Sequence, residues 1–250
     1  MDNCAIERGN NAANNAGASA TMIPWMLLDK AKAPGGGELR LMRRGAEYSI
    51  RLGDNELMNS RLSGSEEALA TIPCARIRDR PTPQILIGGL GMGFTLRAAL
   101  GALGDKARIV VAELVPAVVQ WAQGPMAPIF GECLSDIRVS LREADVGGLI
   151  RSARSDYDAI LLDVDNGPEG LTRAANDALY DAQGLRAARI ALRPGGILAV
   201  WSSGPDDDFT RRLRRAGFEV EEIRVRAHRA RRGARHVVWV ASAPARSAPA

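Results

Sequence analysis

Two histidines and three cysteines are all the imidazole and thiol groups that the chain offers to a metal. Cys4, Cys74 and Cys133 stand far apart with no CxxC pair. Their odd number and spacing give neither a disulfide framework nor a thiolate zinc site. His228 and His236 alone do not make a ligand set, so no metal is expected. Aromatic residues are only 4% of the chain, which assigns the core to Leu, Ile, Val and Ala. No stretch reaches the roughly 18 consecutive apolar residues of a membrane span. The first residues, rich in Asn, Ala and Gly, also lack the apolar centre of a secretory leader. A cytoplasmic protein with no membrane partner is therefore expected.

What is present is the composition of a globular protein, 46% hydrophobic and 25% charged over 250 residues. That length fits one large domain, or one domain with a small appendage. The net charge of +4 is unevenly spread. Between positions 211 and 235 the arginines outweigh Glu219, Glu221 and Glu222 by more than the whole-chain surplus. The second half of that stretch, the basic hairpin at 224–235, has no aromatic platform between its arginines and reads as a solvated connector, so nucleic acid is not the expected partner.

Punctuation divides the chain into a disordered tail at 1–20, a small β-domain at 21–62, a nucleotide-binding catalytic domain at 63–242 and a second tail at 243–250. In the β-domain, strand-like pieces at 25–28, 38–42, 48–52 and 56–59 are separated by turn signals at Pro34-Gly35-Gly36-Gly37, Arg44-Gly45 and Gly53-Asp54-Asn55. A helix is predicted over 65–75, with Ser65 as N-cap and Glu66 and Glu67 in its first turn. Beyond Pro81 and Pro83, continuous apolar strands at 85–87, 109–112, 137–141, 159–162 and 197–201 alternate with helical segments at 95–103, 116–121 and 181–192. That alternation predicts an α/β fold with a parallel, Rossmann-like sheet covered on both faces. The segments 219–226 and 237–241 read as a terminal antiparallel hairpin.

Gly88-Gly89-Leu90-Gly91-Met92-Gly93 joins the first of these strands to its helix. Glycines let a backbone bend sharply beneath a ligand, and the helix that follows offers free amide hydrogens. The spacing from Gly89 is GxGxG; Phe94 stands where the dinucleotide fingerprint has its third glycine. Glu113 closes the second strand, about twenty residues past Gly93, where a carboxylate can accept from both ribose hydroxyls. Leu114 follows it. Asp145, followed by Val146, comes after the third strand, where it can take the adenine amino group, and Asp163 ends the fourth. Each acid taken singly is also compatible with a loop position or a helix cap. Together with the glycine turn they place ligand-competent chemistry at the carboxyl edge of four successive strands.

These residues, with Tyr157-Asp158-Ala159-Ile160-Leu161-Leu162-Asp163 and Leu192-Arg193-Pro194-Gly195-Gly196, resemble the spermidine synthases, the polyamine aminopropyltransferases, over roughly residues 25–240. Ile87 stands where most methyltransferases of this fold carry an acid, which favours the aminopropyltransferase branch. The resemblance implies a seven-stranded, mostly parallel sheet with a reversed terminal hairpin, a preceding β-domain and a homodimer. It further implies an S-adenosylmethionine or decarboxylated S-adenosylmethionine co-substrate and a small amine acceptor. Cofactor contacts then fall on Gly88, Gly89, Leu90, Gly91, Gly93, Glu113, Leu114, Asp145, Val146 and Asp163, with Asp163 and Asp165 as the catalytic pair, Asp163 holding the nucleophile or cofactor tail and Asp165 as the base. Three departures stand out. Gly91 occupies the position of the family's turn Asp, Asp163-Val164-Asp165-Asn166-Gly167-Pro168 replaces its DSSDP-type segment, and its Tyr-His-Glu segment has no counterpart. The acceptor is left open, and methyl transfer or a non-catalytic nucleotide-binding or RNA-associated role are the alternatives.

Overall fold

The computed structural model describes residues 23–164, 178–228 and 233–245. Strands β1 (Met26–Lys32), β2 (Glu38–Arg44), β3 (Glu47–Leu52) and β4 (Asn55–Asn59) form an antiparallel meander in that spatial order. Leu39, Leu41, Tyr48 and Ile50 turn inward from β2 and β3 and are buried, as the period-two alternation of a half-covered sheet requires. Helix α1 (Gly64–Ile77) leads out of the meander. Its cap position falls on Ser63, which makes no side-chain cap bond. Ser65, the expected cap, is instead fully buried inside the first turn.

The rest of the chain alternates strand and helix. In order come β5 (Gln84–Gly88), α2 (Phe94–Ala102), β6 (Arg108–Glu113), α3 (Pro116–Gln123), the short α4 (Ala127–Phe130), β7 (Val139–Glu143) and α5 (Val146–Ser152). They are followed by β8 (Tyr157–Leu162), α6 (Ala182–Ala191), β9 (Leu192–Ser202), α7 (Asp207–Arg215), β10 (Glu219–Arg226) and β11 (Arg235–Ser242). The seven strands lie in the order β10-β11-β9-β8-β5-β6-β7, with β5 to β9 parallel and the terminal pair antiparallel. The α/β class, the seven-stranded sheet, its reversed hairpin and the preceding antiparallel sheet are all as the sequence predicts.

Both faces of the large sheet are buried, which is why its strands read as unbroken apolar runs. Ile85, Ile87, Val111 and Leu161 pack into a cluster with α1, α2 and α3, and Leu41 and Ile50 of the meander belong to the same cluster. Leu86, Ile160, Leu162 and Val200 point the other way, toward Val146, Leu185 and Phe209 of α5, α6 and α7. A polar tie adds to the shared core. The indole Nε1 of buried Trp121 on α3 donates to Asp29 Oδ2 of β1 at 2.7 Å.

Local chemistry shifts two boundaries. Ile137, expected to open the third parallel strand, is 93% exposed. The chain there is a turn in which Arg138 pairs with Asp136 at 2.7 Å and donates to the carbonyls of Leu100 and Leu103, so pairing with β6 begins at Val139. At the other end, Ala243 N donates to Gly196 O at 2.8 Å and Gly195 N to Pro244 O at 3.2 Å, carrying the edge of β9 past β11.

Candidate active site

The chain starts the large sheet at β5, builds outward to β7, then returns to the far side of β5 for β8 and β9. The direction reverses between β5 and β8, and the carboxyl ends of strands at such a point open a crevice for ligands. There the Asp163 amide donates to Gly88 O at 2.9 Å and the Gly89 amide to Ala112 O at 2.9 Å, which fixes the first bend of the glycine turn between its two neighbours. Gly89 has φ +93°, and a Cβ on it would collide with the Asp163 carbonyl oxygen. Gly93 has φ +73°, caps α2, and its Cβ would lie 2.5 Å from the Phe130 ring. Gly88 is needed for another reason, because Val146 and Leu162 close over it at about 3.0 Å.

Above the turn lies a cavity. Gly89, Gly91, Glu113, Leu114, Asp145 and Val146 wall it on the sheet side, with Asp163 at one end. The meander forms the opposite wall through Leu39, Ile50, Leu52, Leu57 and Met58. Of the residues expected to contact a cofactor, Gly88, Leu90 and Gly93 shape the bend without lining the space. Asp165 lies outside the described residues.

The three acids differ in their surroundings. Glu113 is buried; its Oε2 accepts from the Leu90 amide and its Oε1 from the Val115 amide, both at 2.9 Å. Burial pushes its carboxyl above the usual carboxylate range, and those amides pull the other way. Asp145 caps α5, accepting from the amides of Gly147 at 3.1 Å and Gly148 at 3.0 Å, and pairs with Arg151 at 3.2 Å. It is therefore a helix cap and a cavity wall at once. Asp163 accepts from the Thr95 hydroxyl at 2.9 Å. Desolvation raises its pKa to about 7, the nearby Glu66 carboxyl adds to the rise, and the Thr95 bond opposes it.

Two contributions escape a reading of the sequence. Thr95 sits in the first turn after the glycine bend, a polar residue buried beside Leu96 and Ala99, and that is its signal. Leu57 and Met58 carry no signal at all, because only the packing of one sheet over the other brings them to the cavity.

A strand order that reverses at β5, an antiparallel terminal pair and a roofing meander together define the class: this is the spermidine synthase fold. Spermidine synthase from Thermotoga maritima superimposes with a TM-score of 0.69 over 86% of this chain and 72% of its own, at 17% identity. A spermidine synthase in complex with the transition-state analogue AdoDATO matches with a TM-score of 0.67 over 86% of this chain and 72% of its own, also at 17% identity. In sequence, polyamine aminopropyltransferase 1 of Streptomyces coelicolor is 31% identical over 127 residues. That match spans 50% of this chain but only 23% of the relative. No family model matches the chain. The resemblance read from the glycine turn and the strand-end acids thus reappears in both the fold and the aligned sequence.

Proposed function

We propose that the chain is an aminopropyltransferase-like enzyme that moves a three-carbon amine from decarboxylated S-adenosylmethionine to a small amine. One observation carries this reading. Every charged side chain among the described residues lining the cavity is a carboxylate (Glu113, Asp145 and Asp163), and the remaining walls are mainly apolar. Intact S-adenosylmethionine brings a carboxylate of its own, which such walls repel. The decarboxylated form carries a sulfonium and an ammonium and no anion, so its charge complements them. The open backbone at Gly89 and Gly91 leaves room for a nucleoside beside Glu113, the candidate ribose partner. Asp145, Val146 and Leu114 would hold the adenine.

Asp163 is the candidate base. A carboxyl with a pKa of about 7 is matched to removing a proton from an amine near neutral pH. The protein would otherwise supply orientation and exclusion of water. The rest of the reading follows the resemblance: Asp165 as second acid, a β-domain over 21–62 roofing a catalytic domain over 63–242, a homodimer, and a cytoplasmic location. No helix among the described residues is long and apolar enough to cross a membrane.

The test is incubation of the protein with decarboxylated cofactor and putrescine or spermidine. Methylthioadenosine is the expected product, and its absence with folded protein rejects the assignment. Gly91, in place of a turn Asp, favours the second reading, methyl transfer. Calorimetry separates the two, since a clear preference for the decarboxylated over the intact cofactor counts against methyl transfer.

A further inference from the structure

Behind Asp163, away from the cavity, runs a line of polar side chains that the transfer reaction as described leaves without a role. Ser65 Oγ donates to Glu66 Oε2 at 2.7 Å and lies 2.9 Å from His236 Nδ1. Ser65 is fully buried and His236 partly exposed, so the line leads from the interior to the surface of β11. At its inner end, Thr95 Oγ1 reaches both Asp163 Oδ2 at 2.9 Å and the Glu66 carbonyl at 3.3 Å, tying the two acidic residues to one hydroxyl.

We propose that Glu66, Ser65 and His236 form a proton exit from the acceptor side of the site, with Ser65 and His236 as positioning residues for Glu66. The inference rests on the aminopropyl-transfer reading. An amine arrives at neutral pH as an ammonium. In the transfer, its nitrogen bonds to carbon, and the carbon–sulfur bond breaks with its electron pair going to sulfur. One N–H proton must then leave the protein per turnover. The acids that receive it are only partly exposed, and burial is the leading influence on both Asp163 and Glu66.

A serine hydroxyl between a carboxyl and an imidazole can pass a proton by exchanging its own. When Glu66 is ionised, Ser65 donates to it and accepts from His236 Nδ1–H. When Glu66 takes the proton and His236 has exchanged through solvent to its Nε2–H tautomer, which leaves Nδ1 bare, the Glu66 O–H bond can break toward Ser65 Oγ while the Ser65 hydrogen moves to His236 Nδ1. The imidazolium then releases its Nε2 proton to solvent. The ring is placed for this. Trp201 meets it edge-on at 4.9 Å, its cross-strand partner is the apolar Val225, and α1 presents Ser65. Burial alone lowers its pKa, so the imidazolium gives up its proton readily. Among the described residues, the groups that act on Glu66 are Ser65, Glu67 and Asp163, none of them a cation.

Nitrogen-15 NMR of His236 in the full chain tests the linkage without turnover. Its ring shifts should show two inflections with pH, one its own and one from Glu66, and the second should vanish in Ser65→Ala and Glu66→Gln. A single inflection, unchanged in both variants, overturns the exit. In the transfer assay, Ser65→Ala and His236→Ala should lower kcat about tenfold or more, a modest share of an acid–base contribution, with cofactor Kd unchanged. Added imidazoles should rescue His236→Ala in proportion to their basicity. Unaltered kcat in an active enzyme, or rescue indifferent to basicity, overturns the proposal. Failure of the aminopropyl reading shows separately, as wild-type protein with coupled inflections but no methylthioadenosine.

Discussion

Asp163 is where function and stability pull apart. Its carboxyl titrates near 7 in the fold, above the ordinary value of 3.8, so the folded state holds a proton that the unfolded chain has released. Over that interval the folded protein binds more protons, and stability falls as pH rises from about 4 to 7, then levels off. Asp163→Asn should abolish transfer by about 100-fold or more. It should also make the protein more stable than wild type at pH 8, by about 1–3 kcal/mol, with the gap closing near pH 4; urea melts at the two pH values check it. The opposite outcome belongs to Gly89. Alanine there collides with the Asp163 carbonyl at a positive φ, and about 2 kcal/mol or more of lost stability in a thermal melt is expected. The sequence announced both residues, because a bend that needs bare backbone and an acid closing an apolar strand leave local marks. It was silent about Met58 and His236, whose roles come from residues far away in the chain.

At the scale of elements, legibility followed periodicity. The parallel strands were readable because burial on both faces makes them uniformly apolar. β7 opens two residues later than its apolar text predicts, because Ile137 has the character of a strand residue and yet is displaced by the Arg138 turn. α7 went unread because only Phe209, Thr210 and Leu213 are buried among its charges. Its cap, Asp206 accepting from Phe209 N at 2.8 Å, is nonetheless an ordinary start signal. The β8–β9 junction depends on Asp158, 1% exposed, which accepts from Arg80, from Arg193 at 2.8 Å and from the Gln84 amide at 2.7 Å. Removing one partner of a buried charge network leaves the others uncompensated. Asp158→Ala should therefore cost about 3–5 kcal/mol in urea unfolding. Because it sits at the amino-terminal edge of the sheet, cofactor affinity of the folded fraction should stay unchanged.

For the whole molecule, the placement of charge matters more than its sum. A net surplus of +4 coexists with a crevice whose lining charges are all negative among the described residues. In the proposed transfer, a cationic acceptor would be drawn to this crevice despite the surplus positive charge of the chain. Raising ionic strength from about 0.02 to 0.2 M, where the screening length shortens to under about 10 Å, should lower kcat/KM for a polyamine several-fold while kcat holds steady. A steady-state salt series measures this, and a flat kcat/KM would mean that capture owes nothing to the field.

The same walls bear on the end of the cycle. In the proposed transfer the sulfonium becomes a neutral thioether, so the spent nucleoside no longer has the charge that drew its precursor in. Departure is thereby built into the chemistry, and the spent nucleoside should be a feeble inhibitor compared with any sulfonium mimic of its parent.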